Sequence, residues 1–375
     1  MAALRIGVNA LYLIPGGVGG TEIYLRSILA AMACIDGENE YFLFTNRETG
    51  ADLVPTAPNF HFCPQAVSAR SRPARILWEQ TALPLALVKT RIDVLFNPGF
   101  TAPLLCPCPM VTVFHDMQHK RHPEYFRWFD LPFWRMLLLQ AAVESHTLIA
   151  VSEATRNDIL KYYRLPEKKI RVIPHGVDPL LFHIGEHTGN FILCISTLHP
   201  HKNLERLIRA FARFHRVHPG FRLVLAGLRG FHAEEIERLI TSLDLGAAVE
   251  ITGWIPREQL RDLFRRAWAF VYPSTFEGFG MPVLEALAAG IPSACSDIEP
   301  LTSISGDAAL HFDPNDENAI ANALAVLAGD AEVRERLIAA GPLRARQFSW
   351  ETTARETLNA LRGCDHARVS KRFWP

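Results

Sequence analysis

Tyr272-Pro-Ser-Thr-Phe-Glu277-Gly-Phe-Gly-Met-Pro-Val-Leu-Glu285 reads as a strand, a loop and the start of a helix. The apolar run Ala269–Tyr272 predicts the strand, and Pro282 falls in the first helical turn, where proline is tolerated. Gly278 and Gly280 open the backbone between two acids, Glu277 in the loop and Glu285 about one turn into the helix. Both acids flank apolar residues suited to a core, so packing does not explain them. One on a loop and one on a helix can meet two parts of a long ligand. The alternative for Glu285 is a helix-dipole role.

Outward from this stretch, short apolar runs alternate with amphipathic segments along the whole chain, which implies βα units around largely parallel sheets. In the first half, strands are predicted at 5–9, 41–44, 94–96, 111–114, 148–151 and 171–173, with helices at 21–33, 76–88 and 152–163. In the second half they are predicted at 191–196, 222–226, 249–252, 269–272, 292–294 and 310–312, with helices at 203–218, 234–243, 258–267 and 281–289. Residues 174–179 and the polar run 185–190 between the halves read as a linker. The expected division is 1–180 as one Rossmann-like domain, 181–350 as a second, and 351–375 as a terminal helix and tail returning to the first. Open parallel sheets take ligands beyond the carboxyl ends of their strands, so two such sheets facing a central cleft are the expected frame for a site.

The 375 residues suffice for two domains, and 49% apolar against 21% charged residues favours large buried cores. Lys plus Arg equals Asp plus Glu, 39 against 39, so net charge offers no argument for nucleic acid. The first residues lack a signal-peptide pattern, and no apolar run approaches the roughly 20 residues that span a bilayer. A cytoplasmic protein, soluble or peripheral at the inner face of the membrane, is expected. Seven scattered cysteines, with Cys106 and Cys108 as a CxC, show no disulfide framework and read as reduced thiols.

Three further segments follow predicted strands. Pro15-Gly16-Gly17-Val18-Gly19-Gly20-Thr21 can bring backbone N–H groups to a phosphate or sugar, or can be a structural turn. It fails as a dinucleotide fingerprint because Glu22 stands where the third glycine belongs. Val111-Thr-Val-Phe-His115-Asp116 ends a strand in His-Asp, a catalytic or a structural histidine; His119 and His122 follow, with Lys120 and Arg121 between them arguing against a metal. Ser196-Thr197-Leu-His-Pro-His201-Lys202-Asn203 places Lys202 just before an amphipathic helix, suited to phosphate oxygens.

With these residues in view, the chain resembles the retaining glycosyltransferases of the GT-B fold, family 4, the group containing bacterial mannosyl- and rhamnosyltransferases. Glu277 and Glu285 match its E-x7-E signature. GGVGGTE, RILWEQTALP, VTVFHDM, IAVSEATRNDI, VIPHGVD, TLHPHKNLERLIRAF and ITGWIP extend the likeness over nearly the whole chain. The resemblance implies that Lys202 neutralises the donor diphosphate and that Glu277 holds sugar hydroxyls. The Gly278–Met281 backbone, with the N–H groups of Phe279 and Gly280, would assist. It implies Glu285 at the nucleotide ribose, Gly253-Trp254-Ile255 near the base, and His115 and Gly16–Gly19 against the transferred sugar. Ser196 and Thr197 stand where many relatives have Gly-Arg, and His201 where they have a second basic residue, which puts the phosphate charge mainly on Lys202.

The expectation is metal-independent transfer of a hexose, mannose from GDP-mannose first, to a saccharide or lipid-linked saccharide in polysaccharide or glycolipid synthesis. No Asp-x-Asp occurs in the sequence. The alternatives are a UDP-sugar donor, a non-hydrolysing sugar-nucleotide epimerase, or a non-catalytic sugar-nucleotide sensor. Lys120–Arg121, Arg127–Trp128 and Phe133-Trp134-Arg135 form a basic, aromatic segment that either rests on anionic lipid or packs on its own sheet.

Overall fold

A computed structural model describes residues 3–17 and 19–364. Two compact units emerge: unit 1 takes the chain up to Gly176 and again from Trp350, and unit 2 is Val177–Ser349. Val18 and residues 365–375 lie outside the described residues, which removes one expected donor contact and the expected tail from view.

Unit 1 holds seven strands: β1 (Arg5–Asn9), β2 (Glu40–Thr45), β3 (Phe60–Pro64), β4 (Val94–Asn97), β5 (Met110–Phe114), β6 (Thr147–Ala150) and β7 (Ile170–Val172). They lie in the order β3-β2-β1-β4-β5-β6-β7, every pairing parallel. Unit 2 holds β8 (Phe191–Ile195), β9 (Arg222–Ala226), β10 (Val249–Gly253), β11 (Ala269–Tyr272), β12 (Ser293–Ser296) and β13 (Leu310–Phe312). Their order is β10-β9-β8-β11-β12-β13, again all parallel. The expected α/β architecture of two parallel sheets is what the chain adopts. β5, β11 and β12 are buried at every position, as strands covered by helices on both faces should be. Among the described residues, no helix is long and apolar enough to cross a membrane.

β3 is the strand that periodicity passes over. It pairs only with β2, at the sheet edge, where Phe60 alone is buried and half-buried His61 and Cys63 alternate with exposed Phe62 and Pro64. Proline is at home on such an edge. The unit boundary falls inside 174–179, as the linker reading expects, but the residues from Asp178 through 185–190 are packed on unit 2. Asp178 is bound to Arg257 and Arg261, and the backbone N–H groups of Gly185, Glu186 and Gly189 donate to Ala289, Arg265 and Arg266. A Cβ at Gly185 or Gly189 would lie 2.7 Å from a carbonyl oxygen, of Ala289 and Arg266 respectively. The glycines there permit close packing on unit 2, and the composition that suggested looseness reflects that.

In each sheet the winding reverses once, between β1 and β4 in unit 1 and between β8 and β11 in unit 2. Open α/β sheets bind ligands at the carboxyl ends of their strands beside such a reversal.

Candidate active site

In unit 2 the two loops beside the reversal are fastened together. Asn203 takes a left-handed conformation (φ 57°) after the turn Pro200–Lys202. Its side-chain amide donates to the carbonyls of Pro273 (3.0 Å) and Pro314 (2.7 Å). The His201 carbonyl accepts from Ser274 Oγ (3.0 Å) and from Thr275 N (2.8 Å). His201 thus contributes its backbone to joining the loops, which its expected phosphate role did not anticipate. Ser196 is buried where β8 ends, and its N–H donates to Ala226 O (2.9 Å). Thr197 is half-buried beside it. Gly227 must be glycine here: its φ is +144°, and a Cβ would stand 2.3 Å from the Ser196 carbonyl oxygen.

This stitching brings Lys202 and Glu277 into contact. Lys202 Nζ lies 2.6 Å from Glu277 Oε1 and 3.1 Å from Tyr272 Oη, with both charged side chains largely shielded from solvent. Burial and the neighbouring Glu277 hold the Tyr272 phenol well above its ordinary range, so it stays neutral and can donate. Gly280, at φ +114°, opens the helix Met281–Ala289; a Cβ would meet Leu301 Cδ2 at 2.4 Å. Phe279 is buried against Phe348, while Gly278 and Met281 are half-buried. The arrangement offers a cation, a carboxylate and a helix N-terminus at one strand end, a combination suited to an anionic, polyhydroxylated ligand.

Glu285 sits one turn into that helix and is 8% exposed. Burial raises its pKa to about 7, with Arg257 opposing and Asp178 reinforcing the shift. Arg257 approaches Glu285 to 3.7 Å but pairs more closely with Asp178 (2.9 Å), which also takes Arg261 (2.9 Å). Asp178, placed in a linker by the sequence, therefore competes for the cation that Glu285 would otherwise hold. Gly253 (φ +69°) ends the edge strand β10, and exposed Trp254 and half-buried Ile255 follow it. They stand two strands, roughly 10 Å, from β8.

In unit 1, His115 is 9% exposed at the end of β5. Its Nε2 donates to the Pro98 carbonyl at 2.8 Å, which fixes the proton there and leaves Nδ1 as an acceptor. Desolvation lowers its pKa to about 4, so the ring is neutral near pH 7. It suits accepting a hydrogen bond from a hydroxyl. Tyr24, Phe100 and His175 surround it. His119 is buried on Tyr163 Oη (2.8 Å), and His122 pairs with Glu124. Among the described residues no group of three or more His, Cys, Asp or Glu could hold a metal ion.

The glycine loop after β1 is closed by Glu22, whose carboxylate accepts from Gly16 N (2.8 Å) and pairs with Arg26 (2.9 Å). Gly16 and Gly17 are exposed, Gly19 is half-buried, and Gly16 and Gly19 have positive φ. The residue that spoiled the dinucleotide spacing thus shapes this loop, and the Gly16 N–H already has a partner. The reversal between β1 and β4 carries a polar network absent from the sequence reading. Asn9 Nδ2 donates to Glu79 Oε1 (2.9 Å) and Asn97 Oδ1 (3.1 Å), and Asn97 Nδ2 donates to Thr112 Oγ1 (3.2 Å). Asparagines ending two adjacent strands were the signal that could have revealed it.

Two parallel sheets, each in the Rossmann strand order, give the chain the GT-B fold. Residues 182–344 match the family described as glycosyl transferases group 1, and residues 18–180 match glycosyltransferase family 4. The O-antigen chain mannosyltransferase B of Escherichia coli is 30% identical over 265 residues, 67% of this chain and 70% of that protein. The chain belongs to the family 4 glycosyltransferases. Among solved structures, sucrose-phosphate synthase from Thermosynechococcus elongatus shares the fold at TM-score 0.80, with 20% identity over 97% of this chain and 100% of that one. Anabaena HepE in complex with UDP-glucose does so at TM-score 0.76, with 18% identity over 96% and 100%.

Proposed function

We propose that the chain transfers mannose from GDP-mannose, with retention of anomeric configuration, to a saccharide or lipid-linked saccharide acceptor. The observation that carries this is the Lys202–Glu277 pair at the strand reversal of unit 2, with buried Glu285 on the adjoining helix. The mannosyltransferase relative supports the choice of sugar.

In this reading Lys202 turns from Glu277 to the donor diphosphate, and the helix opening at Gly280 adds backbone N–H donors. Preorganised positive charge of this kind stabilises a leaving group as its charge develops. Glu277, released, accepts from sugar hydroxyls, and Glu285 accepts from the ribose. Neutral His115 takes a hydrogen bond from the transferred sugar through Nδ1. Substitution proceeds on one face through an oxocarbenium-like state. The bond from anomeric carbon to diphosphate oxygen breaks, the acceptor oxygen bonds to that carbon, and its proton passes to the departing diphosphate. Ser196, Thr197 and His201 line the phosphate side, and Gly253-Trp254-Ile255 lies toward the base.

The basic, aromatic segment of unit 1 supports peripheral contact with anionic lipid. Helix Leu131–Glu144 buries Leu138 and Ala142 in its own core, yet it exposes Phe133, Met136, Leu139 and Val143 on the other side, beside exposed Arg127, Trp128 and Phe129. Within the segment left open between lipid contact and packing on its own sheet, half-buried Trp134 packs against the core cluster that holds Phe114 and Leu138, and Arg72 lies over its ring.

The decisive experiment incubates the protein with radiolabelled GDP-mannose and UDP-hexoses, with and without cellular acceptor extract. Acceptor-dependent release of GDP with mannose in the product is the expected result. Turnover of UDP donors alone would reassign the donor, and a covalent glycosyl–Glu277 adduct would overturn the single-face mechanism.

A further inference from the structure

The segment Arg75-Ile-Leu-Trp-Glu79-Gln80 lies on the helix Arg72–Lys89 of unit 1. Most of its polar groups have evident tasks. Trp78 Nε1 donates to Gln65 Oε1 (3.3 Å), and Glu79 accepts from Asn9. Gln80 fastens the loop after β4 through Ala102 O (3.0 Å) and Leu104 N (2.8 Å). Arg75 is the exception. It is 8% exposed, yet among the described residues no hydrogen bond or ion pair engages its guanidinium. Its nitrogens are not among the buried polar atoms sealed from solvent, so a narrow opening still reaches them.

A guanidinium has five donors, and burying it with none met is unfavourable unless something else meets them. Burial holds Arg75 below its ordinary range, with Glu79, one turn along the helix, opposing that shift. Its placement is informative. Arg75 lies within electrostatic range of Tyr12, just beyond β1. The Tyr12 ring packs on Gly99, where a Cβ would stand 2.5 Å from Tyr12 Cε1. The preceding carbonyl, of Pro98, is the one that orients His115. Arg75, Tyr12 and His115 therefore belong to one wall at the carboxyl ends of the unit 1 strands.

We propose that Arg75 forms an anion subsite in unit 1 that receives a phosphate or carboxylate group carried by the acceptor saccharide. A guanidinium fork meets two oxygens of such a group at once, which a neutral sugar cannot reproduce. This rests on the transferase reading, with donor recognition in unit 2 leaving unit 1 to the acceptor.

The test uses the full chain and isothermal titration with glucose 1-phosphate, glucuronate and glucose, at saturating GDP to keep the probes from the donor site. Either or both anionic sugars should bind at least about tenfold tighter than glucose, and Arg75→Gln should abolish the preference. Phosphate and carboxylate sources separate by which probe wins. Equal binding of all three, or a preference that survives in Arg75→Gln, overturns the subsite. If Arg75→Gln does not fold, phenylglyoxal labelling of wild-type Arg75, read by mass spectrometry, replaces it. The anionic sugars should protect and glucose should not; equal labelling overturns the proposal. A GDP-induced rise in melting temperature, measured first, tests the donor reading separately. Without that rise the donor reading fails, and the comparison of sugars is run without GDP.

Discussion

Glu285→Gln should stabilise the free protein while weakening the donor site. Glu285 is a buried acid whose folded pKa of about 7 lies above its ordinary 4.5. A raised acid pKa means that the fold favours the neutral carboxyl. Its contribution to stability is intact below pH 4.5 and is lost as pH climbs through 7. The difference of about 2.5 units corresponds to roughly 3 kcal/mol of penalty once the group is ionised. Glutamine keeps the shape and a hydrogen-bonding carbonyl but cannot ionise. Urea denaturation should therefore show the variant gaining about 2 kcal/mol on wild type between about pH 5.5 and 8.5. Glutamine leaves Arg257 with Asp178 alone, an ion pair already at 2.9 Å, so little of the gain is lost there. GDP binding should fall about tenfold, near 1.4 kcal/mol, as a ribose hydroxyl loses an anionic acceptor. A stability gap that does not change with pH would refute the assignment of Glu285 as a strained, buried acid.

Lys202→Ala should lower kcat/KM with GDP-mannose by an amount equivalent to roughly 2–5 kcal/mol, measured by GDP release, because a desolvated phosphate and Glu277 both lose their cation. Acid should destabilise the fold: His115 and His119 have pKa values of about 4, depressed by burial, so their contribution is present above 6.5 and lost as pH falls toward 4. Urea melts should show a loss of about 2 kcal/mol per histidine between about pH 7 and 4.5, and His119→Gln should remove one share. Phe133→Glu with Met136→Glu should abolish flotation with phosphatidylglycerol vesicles without changing the melting temperature by more than a few degrees. Unimpaired flotation would move the lipid contact elsewhere.

Much of the frame was legible because parallel strands covered on both faces are written as unbroken apolar runs. β11 and the helix Met281–Ala289 were located by Pro282 and the glycines around Glu277, and the helix bounds coincide with those expected. β3 escaped because His61 interrupts its short run and Pro64 ends it, on an edge where only Phe60 is buried. The linker reading of 185–190 failed because glycine permits both loose chain and very close backbone approach. At the candidate site, the positions of single residues at strand ends were readable and their pairings were not. Nothing local to Lys202 states that Glu277, 75 positions away, lies within ion-pair distance. The same holds for Asn9 with Glu79, and for Asp178 with two arginines. Trp134 and its neighbour Phe133 were read alike, yet helical geometry sends one inward and the other out.

Unit 1 is discontinuous, and this bears on how the protein is made. Helix Trp350–Arg362 packs against helix Gly20–Ile35, where Trp350 meets Tyr24 and stacks on His175, and Thr353 binds the Pro174 carbonyl at 2.7 Å. The ribosome delivers those residues only after all of unit 2. For the whole interval, Tyr24 and His175 lack an aromatic neighbour that covers them in the finished molecule. Unit 2 can complete its sheet during synthesis, whereas the earlier-made half must wait with part of its interior open, and chaperone demand should concentrate there.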